Sequence, residues 1–152
     1  MRRIILGASV CGIVICLFFP LSTFTPANAQ DTTEQIISQL DDILKQNPLP
    51  AGQKGQLIKI VEDNTMTLFI LRSTEGAELK PHLHKTHDET VYVIRGTAQI
   101  FVNDKWVDVK PGSLHFNPMG KVHGSRVTGA EPYIGISIFT PALKEPDRHF
   151  VQ

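Results

Sequence analysis

From Gly76 to Gly96 the chain reads Gly-Ala-Glu-Leu-Lys-Pro-His-Leu-His-Lys-Thr-His-Asp-Glu-Thr-Val-Tyr-Val-Ile-Arg-Gly, and no other stretch restricts its fold as strongly. Side chains alternate along a strand, so His82 and His84 project from one face and can aim two imidazoles at one point. Glu89 lies beyond a short polar link, on the next extended run, and can add an oxygen. His123 follows the tight bend Pro118-Met119-Gly120 and can supply a third nitrogen. Three imidazoles and one carboxylate suit a divalent transition metal that keeps open coordination positions. The expected site is therefore metal-binding and built on strands, with its chemistry undefined.

The surrounding pattern agrees with strands. Short β-branched and aromatic runs fill Leu57–Val61, Thr65–Leu71, Glu78–His84, Thr90–Arg95, Ala98–Val102, Lys105–Val109, Leu114–Asn117, His123–Thr128 and Tyr133–Phe139. Turn signals such as Glu62-Asp63-Asn64, Asn103-Asp104 and Lys110-Pro111-Gly112 separate them and predict hairpins. Many short strands at regular spacing in one modest chain predict an all-β sandwich or small barrel. Ahead of them, Ile36, Ile37, Leu40, Ile43 and Leu44 recur at helical spacing, which predicts a helix over Glu34 to Gln46. Thr32 or Thr33 would cap it, Asn47-Pro48-Leu49-Pro50 would stop it, and its apolar stripe would pack on the barrel.

The start of the chain is of another kind. Met1-Arg2-Arg3 precedes an almost wholly apolar run from Ile4 to Phe19, and Ala27-Asn28-Ala29 precedes Gln30. A basic start, an apolar segment and an A-x-A site describe a secretory signal peptide, cleaved after Ala29. The apolar run falls short of the roughly 20 residues a membrane span needs, which argues against a retained anchor. Arg2-Arg3 hints at twin-arginine export, but the motif is incomplete, and the ordinary unfolded route fits better. The expected location is periplasmic or secreted. Cys11 and Cys16, the two cysteines of the chain, both lie in this signal. The mature domain, about 120 residues long, thus lacks disulfides and thiolate ligands and must rely on an apolar core. Removing Arg2 and Arg3 leaves thirteen basic residues against fifteen acidic, a balance that attracts neither nucleic acid nor an anionic membrane.

Two spaced motifs in this chain resemble those of the cupin superfamily. The first runs glycine, five residues, His-x-His, three or four residues, glutamate, six residues, glycine; Gly76, His82, His84, Glu89 and Gly96 meet every spacing. The second runs glycine, five residues, Pro-x-Gly, two residues, histidine, three residues, asparagine. Gly112, Pro118, Gly120 and His123 fit it, while Val127 stands in place of the asparagine. The resemblance implies a double-stranded β-helix, or jelly-roll, barrel over residues 51–140, with metal held inside one end by His82, His84, Glu89 and His123. Residues 30–50 would form the helix and linker, and residues 141–152 a tail across the surface. It also implies pairing into homodimers. Mixed nitrogen and oxygen ligation accepts iron, manganese, cobalt, nickel, copper or zinc.

Other polar residues are candidates for chemistry. Alternation puts Ser113, His115 and Asn117 on one face and Leu114 and Phe116 on the other. If the first face is the cavity side, His115 and Asn117 can contact substrate or orient a metal-bound water; otherwise they meet solvent or a loop. His87 is either an acid or base at the cavity mouth or a solvated turn residue. Tyr92, Ile94 and Phe101 are expected in the core or beneath the helix, and His149 carries no signal. The leading expectation is an exported metalloenzyme acting on a small oxygenated molecule by oxygenase, lyase or isomerase chemistry. The alternatives are a non-catalytic module that binds metal or a small ligand, and a metal-free interaction protein.

Overall fold

In a computed structural model, Gln30–Asp31 and residues 35–151 are described. The expected signal peptide and the expected capping residues Thr32 and Thr33 lie outside them. The strands are β1 (Gln30–Asp31), β2 (Gly55–Glu62), β3 (Thr67–Ser73), β4 (Glu78–Leu83), β5 (Asp88–Arg95), β6 (Ala98–Val102), β7 (Lys105–Val109), β8 (Leu114–Asn117), β9 (His123–Val127), β10 (Tyr133–Thr140) and β11 (His149–Phe150). They form a six-stranded sheet in the order β1-β2-β3-β10-β5-β8 and a five-stranded sheet in the order β11-β4-β9-β6-β7. All pairings are antiparallel except β1 with β2. Apart from β1 to β3 and the β6–β7 pair, successive strands cross between the two sheets, and this is the jelly-roll barrel that the motifs imply.

Period-two alternation sorts side chains between interior and exterior. On β10, Tyr133, Ser137 and Phe139 are buried toward the barrel, whereas Ile134 and Ile136 join an outer cluster. That cluster consists of Ile58, Ile70 and Ile134, covered by Leu40, Ile43 and Leu44 of α1 (Leu40–Gln46), the one helix among the described residues. Ile94 packs there too, as expected. Arg72 fixes the helix C-terminus by donating to the carbonyls of Leu44 and Asn47, which have no partner within the helix. The helix begins at Leu40, six residues after the expected Glu34. Ile36 and Ile37 are exposed, the latter at 94%, and contribute nothing to this packing, so apolar burial supports helix only from Leu40 onward.

Inside the barrel, one end is sealed by Val93, Ala98, Val127 and Tyr133, with Leu71, Ala77 and Val109 against them. Val127, the departure from the second motif, is therefore a core residue. The β6–β7 turn is the two-residue hairpin expected at Asn103-Asp104, both at positive φ of 49° and 61°. Asn and Asp tolerate this conformation better than other residues with side chains. Gly96 has φ 72°, and a Cβ there would stand 2.7 Å from the Pro132 carbonyl oxygen and 2.8 Å from Tyr133 Cα. Gly96→Ala is expected to cost about 3 kcal/mol, combining backbone strain with displaced main chain. Urea unfolding checks this, and a change below about 1 kcal/mol would contradict the close approach.

Tyr92 is 45% exposed, contrary to expectation, because the inward positions of β5 are Glu89, Val91 and Val93. Phe101 is half-buried and packs edge-on against Trp106, with ring centroids 5.4 Å apart. The tail does more than cross the surface. Leu143 N–H donates to Thr67 Oγ1, Asp147 is buried, and β11 adds a strand to β4.

Candidate metal centre

His82 and His123 are register partners on adjacent strands β4 and β9, and His84 lies just past the end of β4. All three are buried, and their ring centroids are 4.4 to 5.2 Å apart. One nitrogen from each ring lies within 4.8 Å of the other two. The Nδ1 atoms are all engaged by carbonyl oxygens: His82 donates to Lys80 at 2.9 Å, His123 to Lys121 at 3.0 Å, and His84 to Asp147 at 2.6 Å. A carbonyl accepts only, so each ring carries its proton on Nδ1 and leaves a lone pair on Nε2. The bend at Pro118 sets the approach to His123. Gly120 N–H donates to the His84 carbonyl at 2.7 Å, and Met119 N–H donates to Asp88 at 2.7 Å.

Glu89 reaches the same place from the facing sheet. Its Oε2 lies 3.3 Å from His123 Nε2 and 4.0 Å from His84 Nε2. At these separations the carboxylate and the two ring nitrogens face a shared point. Ser137 Oγ donates to Glu89 Oε1 at 2.6 Å, and Asn117 Nδ2 donates to Oε2 at 3.1 Å. Burial would raise the Glu89 pKa, but the His123 and Ser137 side chains outweigh it and hold the group down at about 2. Burial and the neighbouring His123 lower His82 to about 3, and burial lowers His84 as well. His82 and His84 are thereby kept neutral beside an ionised Glu89, the protonation states that metal binding requires. Orphaned, buried Nε2 atoms beside an ionised carboxylate fit a divalent transition ion in place of the missing partners.

Of the remaining candidates, His115 and Asn117 face inward, and Leu114 and Phe116 are the exposed residues of β8. His115 is opposite Val91 and Asn117 is opposite Glu89. Both His115 nitrogens, Asn117 Oδ1 and Tyr133 OH are buried without hydrogen-bond partners. His87 proves to be neither a mouth residue nor a solvated one. It is buried, with Nδ1 2.8 Å from Asp147 Oδ2 and 2.8 Å from Thr86 Oγ1, and Nε2 3.2 Å from the Ala142 carbonyl. It is a strut between the loop after His84 and the tail. His149 shares that knot, with Nε2 3.0 Å from Asp147 Oδ1.

Two supporting residues escaped the sequence reading. Ser137 is a fully buried hydroxyl between Tyr133 and Phe139 on an otherwise inward-apolar strand, an anomaly that marks it as a partner for something polar. Asp147 sits in the proline- and charge-containing tail and carries no comparable signal. Its carboxylate receives Lys85 N–H, Thr86 N–H and Thr86 Oγ1 at 2.7 to 3.0 Å.

Comparisons with known proteins agree with this architecture. The Cupin domain family matches residues 69–139, the span from β3 to β10 that carries all four converging side chains. A protein of Aquifex aeolicus without an assigned function is 26% identical over 111 residues, covering 73% of this chain and 88% of its own length. A Klebsiella pneumoniae protein with a double-stranded β-helix domain superposes with a TM-score of 0.63 at 26% identity, covering 75% of this chain and 91% of the other. The polyketide cyclase RemF of Streptomyces resistomycificus shares the fold at 16% identity, with a TM-score of 0.63 over 78% of this chain and 87% of the other. Spaced motifs, jelly-roll topology and family match together make this chain a member of the cupin superfamily.

Proposed function

We propose that this protein is an exported, metal-dependent cupin that binds a small oxygenated molecule and transforms it by oxygenase, lyase or isomerase chemistry. One observation carries the reading: three imidazoles tied at Nδ1 converge beside one ionised carboxylate, and the buried Nε2 atoms of His84 and His123 have no hydrogen-bond partner. His82, His84, His123 and Glu89 would hold the ion, which supplies Lewis-acid or dioxygen-activating chemistry when bound. Strand-mounted ligands with fixed tautomers lose little entropy on binding it.

A catalytic role is favoured over simple binding by the polar groups beside the site. A storage or capture module gains nothing from leaving buried polar atoms unpartnered, which costs about 1–3 kcal/mol each. His115, Asn117 and Tyr133 supply such atoms. Burial keeps His115 readily neutral, so its imidazole can take a proton from a substrate hydroxyl or return one. Asn117 Oδ1 and Tyr133 OH can orient the same molecule. Export is supported by Arg2-Arg3, the apolar run to Phe19 and Ala27-Asn28-Ala29.

Turnover by the metal-loaded mature protein against a panel of small diols, enols and hydroxy acids tests the reading. Activity on one class should vanish in His82→Ala and fall about a hundredfold in His115→Ala with metal content unchanged. Inactivity across the panel at full metal loading would favour the binding module instead.

A further inference from the structure

The end of the chain brings a positive charge to the site. Asp147 receives His84 Nδ1 on its main-chain oxygen, and His149 and Phe150 pair with Leu83 and His82. The Phe150 ring lies 5.9 Å from the His82 ring. Arg148 stands between these two anchors, so its backbone is held beside the histidines from both sides. Among the described residues, Arg72, Arg95 and Arg126 each donate to neighbouring groups. Arg148 forms no hydrogen bond or ion pair with any of them. Its side chain is exposed. Set between the Asp147 carbonyl on the His84 ring and the Phe150 ring beside His82, it is close enough for its charge to disfavour protonation of both histidines and to be drawn by Glu89.

A guanidinium presents a planar fork of donors that matches a carboxylate in two parallel hydrogen bonds. Phe150, itself 60% exposed, offers an apolar wall next to it. We propose that Arg148 is a specificity-determining residue that grips a carboxylate on the substrate while other oxygens of that molecule reach the metal. This rests on the metal-dependent reading above and narrows the substrate class to small carboxylates. Arg148 lies outside the residues matched to the family, so the tail gives this chain a selectivity of its own.

The test uses mature protein loaded with cobalt(II), whose visible spectrum reports ligand exchange. Acetohydroxamate chelates through its hydroxamate oxygens and has no carboxylate, and succinic monohydroxamate adds a remote one. The wild type is expected to bind the carboxylated chelator roughly tenfold more tightly, the scale of one charge-assisted pair. Arg148→Gln should bring the two affinities together by weakening the carboxylated one, and Arg148→Lys should retain part of the preference, both with unchanged melting temperature. Equal affinities in the wild type, or a preference that survives in Arg148→Gln, would overturn the assignment and leave the metal site standing. Failure to take up cobalt would refute the metal reading itself.

Discussion

Replacing His123 with alanine is expected to abolish the stabilisation that a divalent metal gives this protein. At a thousandfold excess over its dissociation constant, a ligand that binds only the folded state adds about 4 kcal/mol. For a domain of this size that corresponds to a rise in melting temperature of more than about 10 °C. His82→Ala should behave alike, because each variant breaks the set of three converging Nε2 atoms. The comparison must be made with and without metal. His82 is only 1% exposed, so its truncation leaves a cavity that lowers stability on its own. The difference between the two melting curves isolates the ion. A metal-induced shift of normal size in both variants would show that the ion sits elsewhere.

Asp147→Ala is expected to be the most damaging substitution in the tail. The carboxylate accepts from Lys85 N–H, Thr86 N–H, Thr86 Oγ1, His87 Nδ1 and His149 Nε2. Hydrogen bonds to a charged group are worth about 1.5–3 kcal/mol, and removing this acceptor strands two main-chain donors at once. A loss of about 3–5 kcal/mol follows, since the contributions are not additive. Metal affinity should drop with it, because the same loop presents His84, whose ring is tied to the Asp147 carbonyl. Burial opposes ionisation of Asp147, but donation from His87, Thr86 and the Lys85 and Thr86 amides prevails and holds the group well below the usual carboxylate range. A carboxylate depressed in the folded state stabilises above its unfolded pKa of about 3.9 and loses that contribution as pH falls through the folded value. Wild-type stability should therefore fall more steeply below about pH 4 than that of Asp147→Asn. Parallel pH profiles for the two would show that Asp147 is not ionised in the knot.

How much was legible beforehand depended on the range of the contacts. His82 and His84 could be paired because strand periodicity is local, and Pro118-Met119-Gly120 marked the approach to His123 for the same reason. The Asn103-Asp104 hairpin was equally readable. On β8, alternation separated His115 and Asn117 from Leu114 and Phe116 but could not say which set faces in. Hydrophobicity alone would have chosen wrongly, since the apolar pair is the exposed one. A polar barrel interior reverses the usual rule wherever a buried site has to be served. The helix start failed in the opposite way, because Ile36 and Ile37 continue the helical spacing without a surface to cover. Asp147 was beyond reach, as its meaning depends on Thr86, 61 residues earlier.

The metal content of the protein, purified without added ions, bears most directly on the site. Elemental analysis should find close to one transition-metal equivalent per chain, lost when His82, His84 and His123 are replaced together. Protein that is folded yet free of metal, or that holds the ion equally well without those three imidazoles, would contradict a centre built on their converging ring nitrogens.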